Sequence, residues 1–141
     1  MGTLNYVLRQ EKREESKEFG KWYARAIHGS DMTTEELAQQ IQRNVSAKKA
    51  DVLAVLAEMS EVMADAIQSG RVVVLDGIGR FKAGIATKPA STAKTFTPQK
   101  NIVGCRINFQ PEVKKEGNKF IKKMLEGIQF TEAVKNDVEK E

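Results

Sequence analysis

Arg71-Val-Val-Val-Leu-Asp-Gly-Ile-Gly-Arg-Phe-Lys82 decides how the rest of the chain is read. A β-branched run from Arg71 to Leu75 meets Asp76-Gly77, a strong tight-turn signal, and the strand pattern resumes from Gly79 to Ile85. That is the signature of a β-hairpin. The hairpin also opens a region in which positive charge accumulates. Between Arg71 and Leu125 stand twelve Lys/Arg and three acids (Asp76, Glu112, Glu116), a net +9, although the 141-residue chain as a whole is only +4. Everything outside that span is therefore net acidic. A basic field localised in this way attracts polyanions.

Upstream of the hairpin the pattern is helical. Thr33 and Glu36 have capping-box spacing, and Leu37, Ile41 and Val45 follow at intervals of four, so a helix should begin at Thr33. Ser46 resembles a second cap, before a longer helix from about Ala47 to Ser69 that Gly70 ends. On that helix Val52, Leu53, Val55, Leu56, Met59, Val62, Met63, Ala66 and Ile67 cover an arc of roughly 180°, wider than the stripe a surface helix needs. The excess predicts packing on two sides, against the chain's own sheet and against a second copy. Further upstream, Tyr6–Gln10 and Trp22–Ile27 alternate like two strands joined by a solvated loop, Glu11–Gly20.

Downstream, residues 83–104 carry Ala, Gly, Thr, Ser, Lys, Pro89 and Pro98 and no clear core, as expected of a long projecting arm. Val103, Cys105, Ile107 and Phe109 then share one face of a return strand, with Arg106 and Asn108 on the other. Pro111 should start a final helix to about Glu126, closed by Gly127. There Lys115, Lys119, Lys122 and Lys123 would occupy one arc opposite Val113, Ile121 and Met124. Ile128-Gln-Phe130 adds a possible short strand, and 131–141 reads as a flexible tail.

Composition bounds the function. The chain is long enough for one domain with its own core. One cysteine, Cys105, excludes an intrachain disulfide framework. The N-terminus lacks the apolar run of a signal peptide, and no window approaches a membrane span, so a cytoplasmic location is expected. No metal-ligand spacing, Ser-His-Asp set or phosphate loop exists, so the expectation is a non-enzyme with no catalytic residues, no metal, no cofactor and no small-molecule substrate. Gly77-Ile-Gly79 is a fragment of a dinucleotide fingerprint, but no helix follows it and turn geometry explains it. Cys105, on the apolar face of its strand, reads as a buried packing residue.

The block from Glu36-Leu-Ala through Ile41, Ser46-Ala-Lys-Lys-Ala-Asp51, Leu53, Leu56 and Gly70–Lys82 resembles the bacterial histone-like HU and integration host factor family. Arg106-Ile-Asn-Phe-Gln-Pro-Glu-Val113 and Gly117-Asn-Lys-Phe120 extend the likeness, which covers roughly residues 33 to 126. The added N-terminal strands and Ile128-Gln-Phe130 are similar to the larger HU-like proteins of the Bacteroides group. The resemblance implies an α+β fold: two N-terminal helices, an antiparallel sheet with a projecting β-arm, and a C-terminal helix, here with an extra N-terminal β pair. Its domains would be 1–32 (β extension), 33–130 (HU-like) and 131–141 (tail). It further implies a homodimer whose arms embrace double-stranded DNA, bending or compacting it with low sequence preference, in the cytoplasmic nucleoid. Minor-groove binding is the behaviour attributed to HU and integration host factor generally.

On these grounds the DNA-binding candidates are Arg80, Lys82, Lys88, Lys94, Pro98, Lys100, Arg106, Lys115, Lys119, Lys122 and Lys123. The dimer candidates are Val52, Leu53, Val55, Leu56, Met59 and Met63. The arm departs from the family pattern: it has lysines and no arginine. Pro98 stands near the position of the family's tip proline, but Thr97-Pro98-Gln-Lys-Asn101 could equally start a helical turn, and Pro89 is a second candidate wedge. The alternative function is an HU-like dimeric protein-interaction scaffold with weak or lost DNA bending; RNA binding is a third.

Overall fold

A computed structural model describes residues 2–133. The chain divides into two compact units, Met32–Met124 and a smaller one formed by Met1–Asp31 with Leu125–Glu141.

In the larger unit, helix α1 (Thr34–Asn44) starts where the capping signal places it: Glu36 N donates to Thr33 Oγ1 at 3.2 Å. Helix α2 spans Lys49–Gln68, and its N-cap is Lys48, with no side-chain cap. Ser46 is not the cap, because Val45–Ala47 form a bend and leave it two residues early. The missing cap is offset by Asp51 in the first turn and by a 2.6 Å ion pair between Lys49 Nζ and Glu35 Oε1. The Lys49 ammonium holds the Glu35 carboxyl below its ordinary pKa. At the other end Gly70, φ +85°, closes α2: Gly70 N donates to Ile67 O and Arg71 N to Ala66 O, both at 3.0 Å. These are the paired bonds of a Schellman motif, which favours Gly in the left-handed region.

Strands β3 (Val73–Leu75), β4 (Gly79–Thr87) and β5 (Ile102–Pro111) form an antiparallel sheet in that order. The β3–β4 turn has Ile78 N donating to Leu75 O, with Gly77 at φ +83°. β4 and β5 pair from Gly79↔Pro111 to Thr87↔Ile102, with one irregularity at Ala86/Thr87. Thus residues 83–87 with Ile102 and Gly104, which lack an apolar core pattern, are nevertheless paired strand, and Val103 is the extra residue at the irregularity. Phe81 and Phe109 stack across this pair at 4.8 Å.

The C-terminal helix expected from Pro111 to Glu126 does not form. In its place β6 (Val113–Glu116) and β7 (Lys119–Lys122) make an antiparallel hairpin, followed by a 3-10 turn, Lys123–Leu125. Gly117-Asn118 is the two-residue connection, and Gly117 has φ +62°. A glycine at the first central position with positive φ suits a type II′ hairpin turn.

The smaller unit is a three-stranded sheet, β2-β1-β8. β1 (Thr3–Gln10) and β2 (Trp22–Ala26) pair antiparallel, as the alternation predicts. β8 (Gln129–Glu132) pairs with β1 in parallel. Residues 131–132 of the expected tail thus belong to a strand, and Ala133 N donates to Tyr6 O at 2.9 Å; 134–141 lies outside the described residues. The loop between β1 and β2 is closed by backbone bonds between Glu11 and Lys21 and between Gly20 and Glu11, each 3.0 Å. Arg13 donates two side-chain bonds to the Glu11 carboxylate, at 3.0 and 3.1 Å. That contact holds the Glu11 carboxyl down at a pKa of about 2.

The core is thin. Among the described residues only Ala38 and Val52 are buried apolar side chains, and no large side chain is fully enclosed. On α2, Leu53, Leu56, Met63, Ala66 and Ile67 are half-buried, whereas Val55 (65% exposed), Met59 and Val62 face outward. Val55, Met59, Val62, Met63, Val73 and Leu75 border an apolar hollow of about 420 Å³. Among the described residues no helix is long and apolar enough to cross a membrane.

Candidate nucleic-acid interface

Residues paired across an antiparallel ladder lie on the same face, and successive residues alternate. The pairs Arg80↔Gln110, Lys82↔Asn108 and Gly84↔Arg106 therefore place Arg80, Lys82 and Arg106 together with two amides on one face of β4–β5. The opposite face carries Phe81, Ala83, Ile85, Cys105, Ile107 and Phe109. Cys105 is exposed, not buried as its apolar neighbours suggest. It borders a hollow shared with Ala64, Ile67 and Ile107.

Arg106 is held in place. Its Nη1 donates to Ile85 O at 3.2 Å and its Nε to Asn108 Oδ1 at 3.3 Å. Gly84 makes room for it: a Cβ there would stand 2.7 Å from Asn108 Nδ2 and 3.3 Å from Arg106 Cζ. From Gly79 to Pro111 the sequence has six Lys/Arg and no acid. No carboxylate on these strands or their connection neutralises the cations.

The connection between β4 and β5 is a loop closed by its own hydrogen bonds. Asn101, 7% exposed, is its organiser. Its Nδ2 donates to Lys88 O (3.0 Å) and Pro89 O (3.3 Å), and its Oδ1 accepts from Thr97 N (3.0 Å). Lys88 N donates to Asn101 O at 2.7 Å. Thr97 caps the one-turn helix α3 (Pro98–Asn101), with Pro98 in its first turn. Of the two readings of Thr97–Asn101, the structure has the helical turn. Lys88, Lys94, Pro98 and Lys100 are all exposed on this loop. Asn101 and Gly84 were not legible as site residues: a buried amide in a polar loop and a glycine in a strand have no distinctive spacing.

The C-terminal lysines do not share one arc. The register Val113↔Lys122, Lys114↔Ile121, Lys115↔Phe120 and Glu116↔Lys119 puts Lys115 and Lys122 on one face of the β6–β7 ribbon with Val113 and Phe120. Lys119 falls on the other, with Glu116 and the half-buried Ile121. Lys123 forms an ion pair with Glu112 at 3.3 Å. The Glu112 carboxylate also accepts from Gly77 N, and Glu112 N donates to Ile78 O, so the ribbon's base is fastened to the β3–β4 turn. Among the described residues no group of His, Cys, Asp and Glu could hold a metal ion.

The family model HU-HIG, described as an HU domain fused to wHTH, Ig, or Glycine-rich motif, matches residues 3–132. Among solved structures, a protein of Bacteroides vulgatus ATCC 8482 described as a candidate bacterial DNA binding protein superposes with a TM-score of 0.63 at 12% identity, over 93% of this chain and 48% of that one. The present chain thus spans about half that protein's length, and the likeness is one of fold. Anabaena HU, crystallised with DNA, aligns at 23% identity and a TM-score of 0.41, over 56% of this chain and 85% of that one. No curated protein matches the sequence.

Proposed function

The chain belongs to the HU-HIG family, and from that premise we propose that it is a non-enzymatic architectural protein, a homodimer that binds duplex DNA with low sequence preference and bends or compacts it. The observation that carries this reading is the acid-free stretch from Gly79 to Pro111, which presents Arg80, Lys82 and Arg106 on one face and Lys88, Lys94 and Lys100 on the loop beyond. Cations so arranged neutralise phosphates and release counterions, which gives affinity without base reading. The outward side of α2 supports the dimer: Val55, Met59 and Val62 form an apolar stripe of the kind a second copy covers. A nucleoid location follows from the same reading.

The test is a fluorescence anisotropy titration on a short mixed-sequence duplex at several salt concentrations. Neutralisation of about six phosphates gives a slope of log K against log salt near −5. A salt-independent titration would sink the reading. For bending, energy transfer between the two duplex ends should rise on binding; an unchanged end-to-end distance removes that part of the proposal.

A second reading, a dimeric protein-interaction scaffold, has its own observation. In the smaller unit Leu4, Tyr6, Leu8, Trp22, Ala24, Ala26 and Phe130 share one face of the β2-β1-β8 sheet, and Trp22 and Phe130 stand exposed. No gel-shift retention at low salt, with a stable dimer in sedimentation, would favour it.

A further inference from the structure

The β6–β7 ribbon is amphipathic in an unusual sense. Lys114 and Ile121 on one face are half-buried, while Val113, Lys115, Phe120 and Lys122 on the other all point to solvent. Phe120, at 70%, heads the exposed large apolar side chains of the described residues. An aromatic ring left in water costs free energy unless something covers it. What surrounds it is cationic: Lys115 lies directly across the ladder from Phe120, and Lys122 is two residues further along its own strand. No acid shares that face; Glu116 projects from the opposite one.

We propose that this face of the ribbon is a second nucleic-acid contact, distinct from the β4–β5 loop, and that its occupant is the major groove of duplex DNA. The proposal rests on the duplex-binding reading above and deepens it. Three observations converge. A two-stranded antiparallel ribbon is an element that the major groove admits. Strand neighbours lie about 5 Å apart and alternate residues about 7 Å along a strand, so Lys115 and Lys122 bracket the ring closely enough to reach the phosphates that line the groove. The ribbon's base is also tied down, through Glu112 to Gly77 and Lys123. Phe120 then supplies apolar contact to base edges on the groove floor, and the lysines supply the salt-dependent share.

The experiment compares the full chain with Phe120→Ala and with Lys115→Gln/Lys122→Gln on the same mixed-sequence duplex. Phe120→Ala should weaken binding roughly tenfold, through loss of the apolar ring area that the groove would cover. The double glutamine variant should lower the magnitude of the salt slope by about 1.8, two phosphates' worth. Dimethyl sulfate methylates guanine N7 in the major groove; wild type should protect guanines at its flanks, and Phe120→Ala should lose that protection. Circular dichroism checks the fold, which these solvent-facing changes should leave intact. If wild type binds duplex and Phe120→Ala binds and protects equally, the ribbon proposal falls while the function proposed above stands. If wild type binds no duplex, both fall. Should Phe120→Ala instead dissociate the dimer in sedimentation, the face is covered by a second copy and the DNA assignment is overturned.

Discussion

Arg106 and Gly84 lie opposite each other across β4–β5, and a Cβ at residue 84 would stand 3.3 Å from the guanidinium and 2.7 Å from the Asn108 amide that holds it. The consequence is a cation locked onto the strand surface, tied to Ile85 O and Asn108 Oδ1. Gly84→Ala should therefore displace Arg106 and Asn108 without unfolding the sheet. Loss of one positioned charged contact of about 1 kcal/mol corresponds to roughly fivefold weaker duplex binding. Anisotropy on wild type and variant measures it, and Arg106→Gln combined with Gly84→Ala should add little further loss.

Asn101 offers a test of the loop beyond the strands. Asn101→Ala removes the acceptor for Thr97 N and the donors to Lys88 O and Pro89 O. Buried polar groups left without partners cost about 1–3 kcal/mol each. Amide exchange of residues 88–101 should accelerate, while that of α1 and α2 stays near wild type. Unchanged exchange in the loop would show that the amide does not organise it.

Val55 addresses the dimer. It is largely exposed on the protomer, so Val55→Asp should leave the helix intact. If a second copy covers it, an unpaired buried charge costs about 3 kcal/mol or more. Sedimentation should then show a dissociation constant raised at least a hundredfold. An unaltered association constant would place the interface elsewhere.

Glu11 gives the pH dependence of the smaller unit. Its carboxyl is held near a pKa of about 2, first by the Arg13 side-chain hydrogen bonds. A depressed folded-state pKa means the contact stabilises the loop fully above the ordinary carboxylate range. That stabilisation fades as pH falls toward about 2. Carboxyl NMR titration should find Glu11 titrating well below its ordinary range, and Arg13→Ala should return it there.

Several elements were legible because their signals are local. The Thr33–Glu36 spacing, Gly70 after an apolar helix, Asp76-Gly77 between β-branched runs and the alternation at Tyr6–Gln10 each act through neighbours a few residues away. The C-terminal element was misread for a physical reason. Its lysines recur at spacings that a helical arc and a hairpin both accommodate, and charged residues do not report which face is buried. Gly117-Asn118 was the deciding signal, since a glycine free to take positive φ turns the chain where a helix would have run on. Cys105 was misplaced because an apolar strand face predicts burial only where something packs on it.

By itself the sequence determined the capped start of α1 at Thr33, the glycine that ends α2, the hairpin at Asp76-Gly77 and the concentration of cations between Arg71 and Leu125, all set by short-range chemistry and composition. The tertiary structure alone decided which cations share a face, since that depends on strand register: Arg80, Lys82 and Arg106 gather on one side, while Lys115 and Lys122 part from Lys119. It alone also brought β8 beside β1, more than a hundred residues away, because a parallel pairing between distant segments has no local signature.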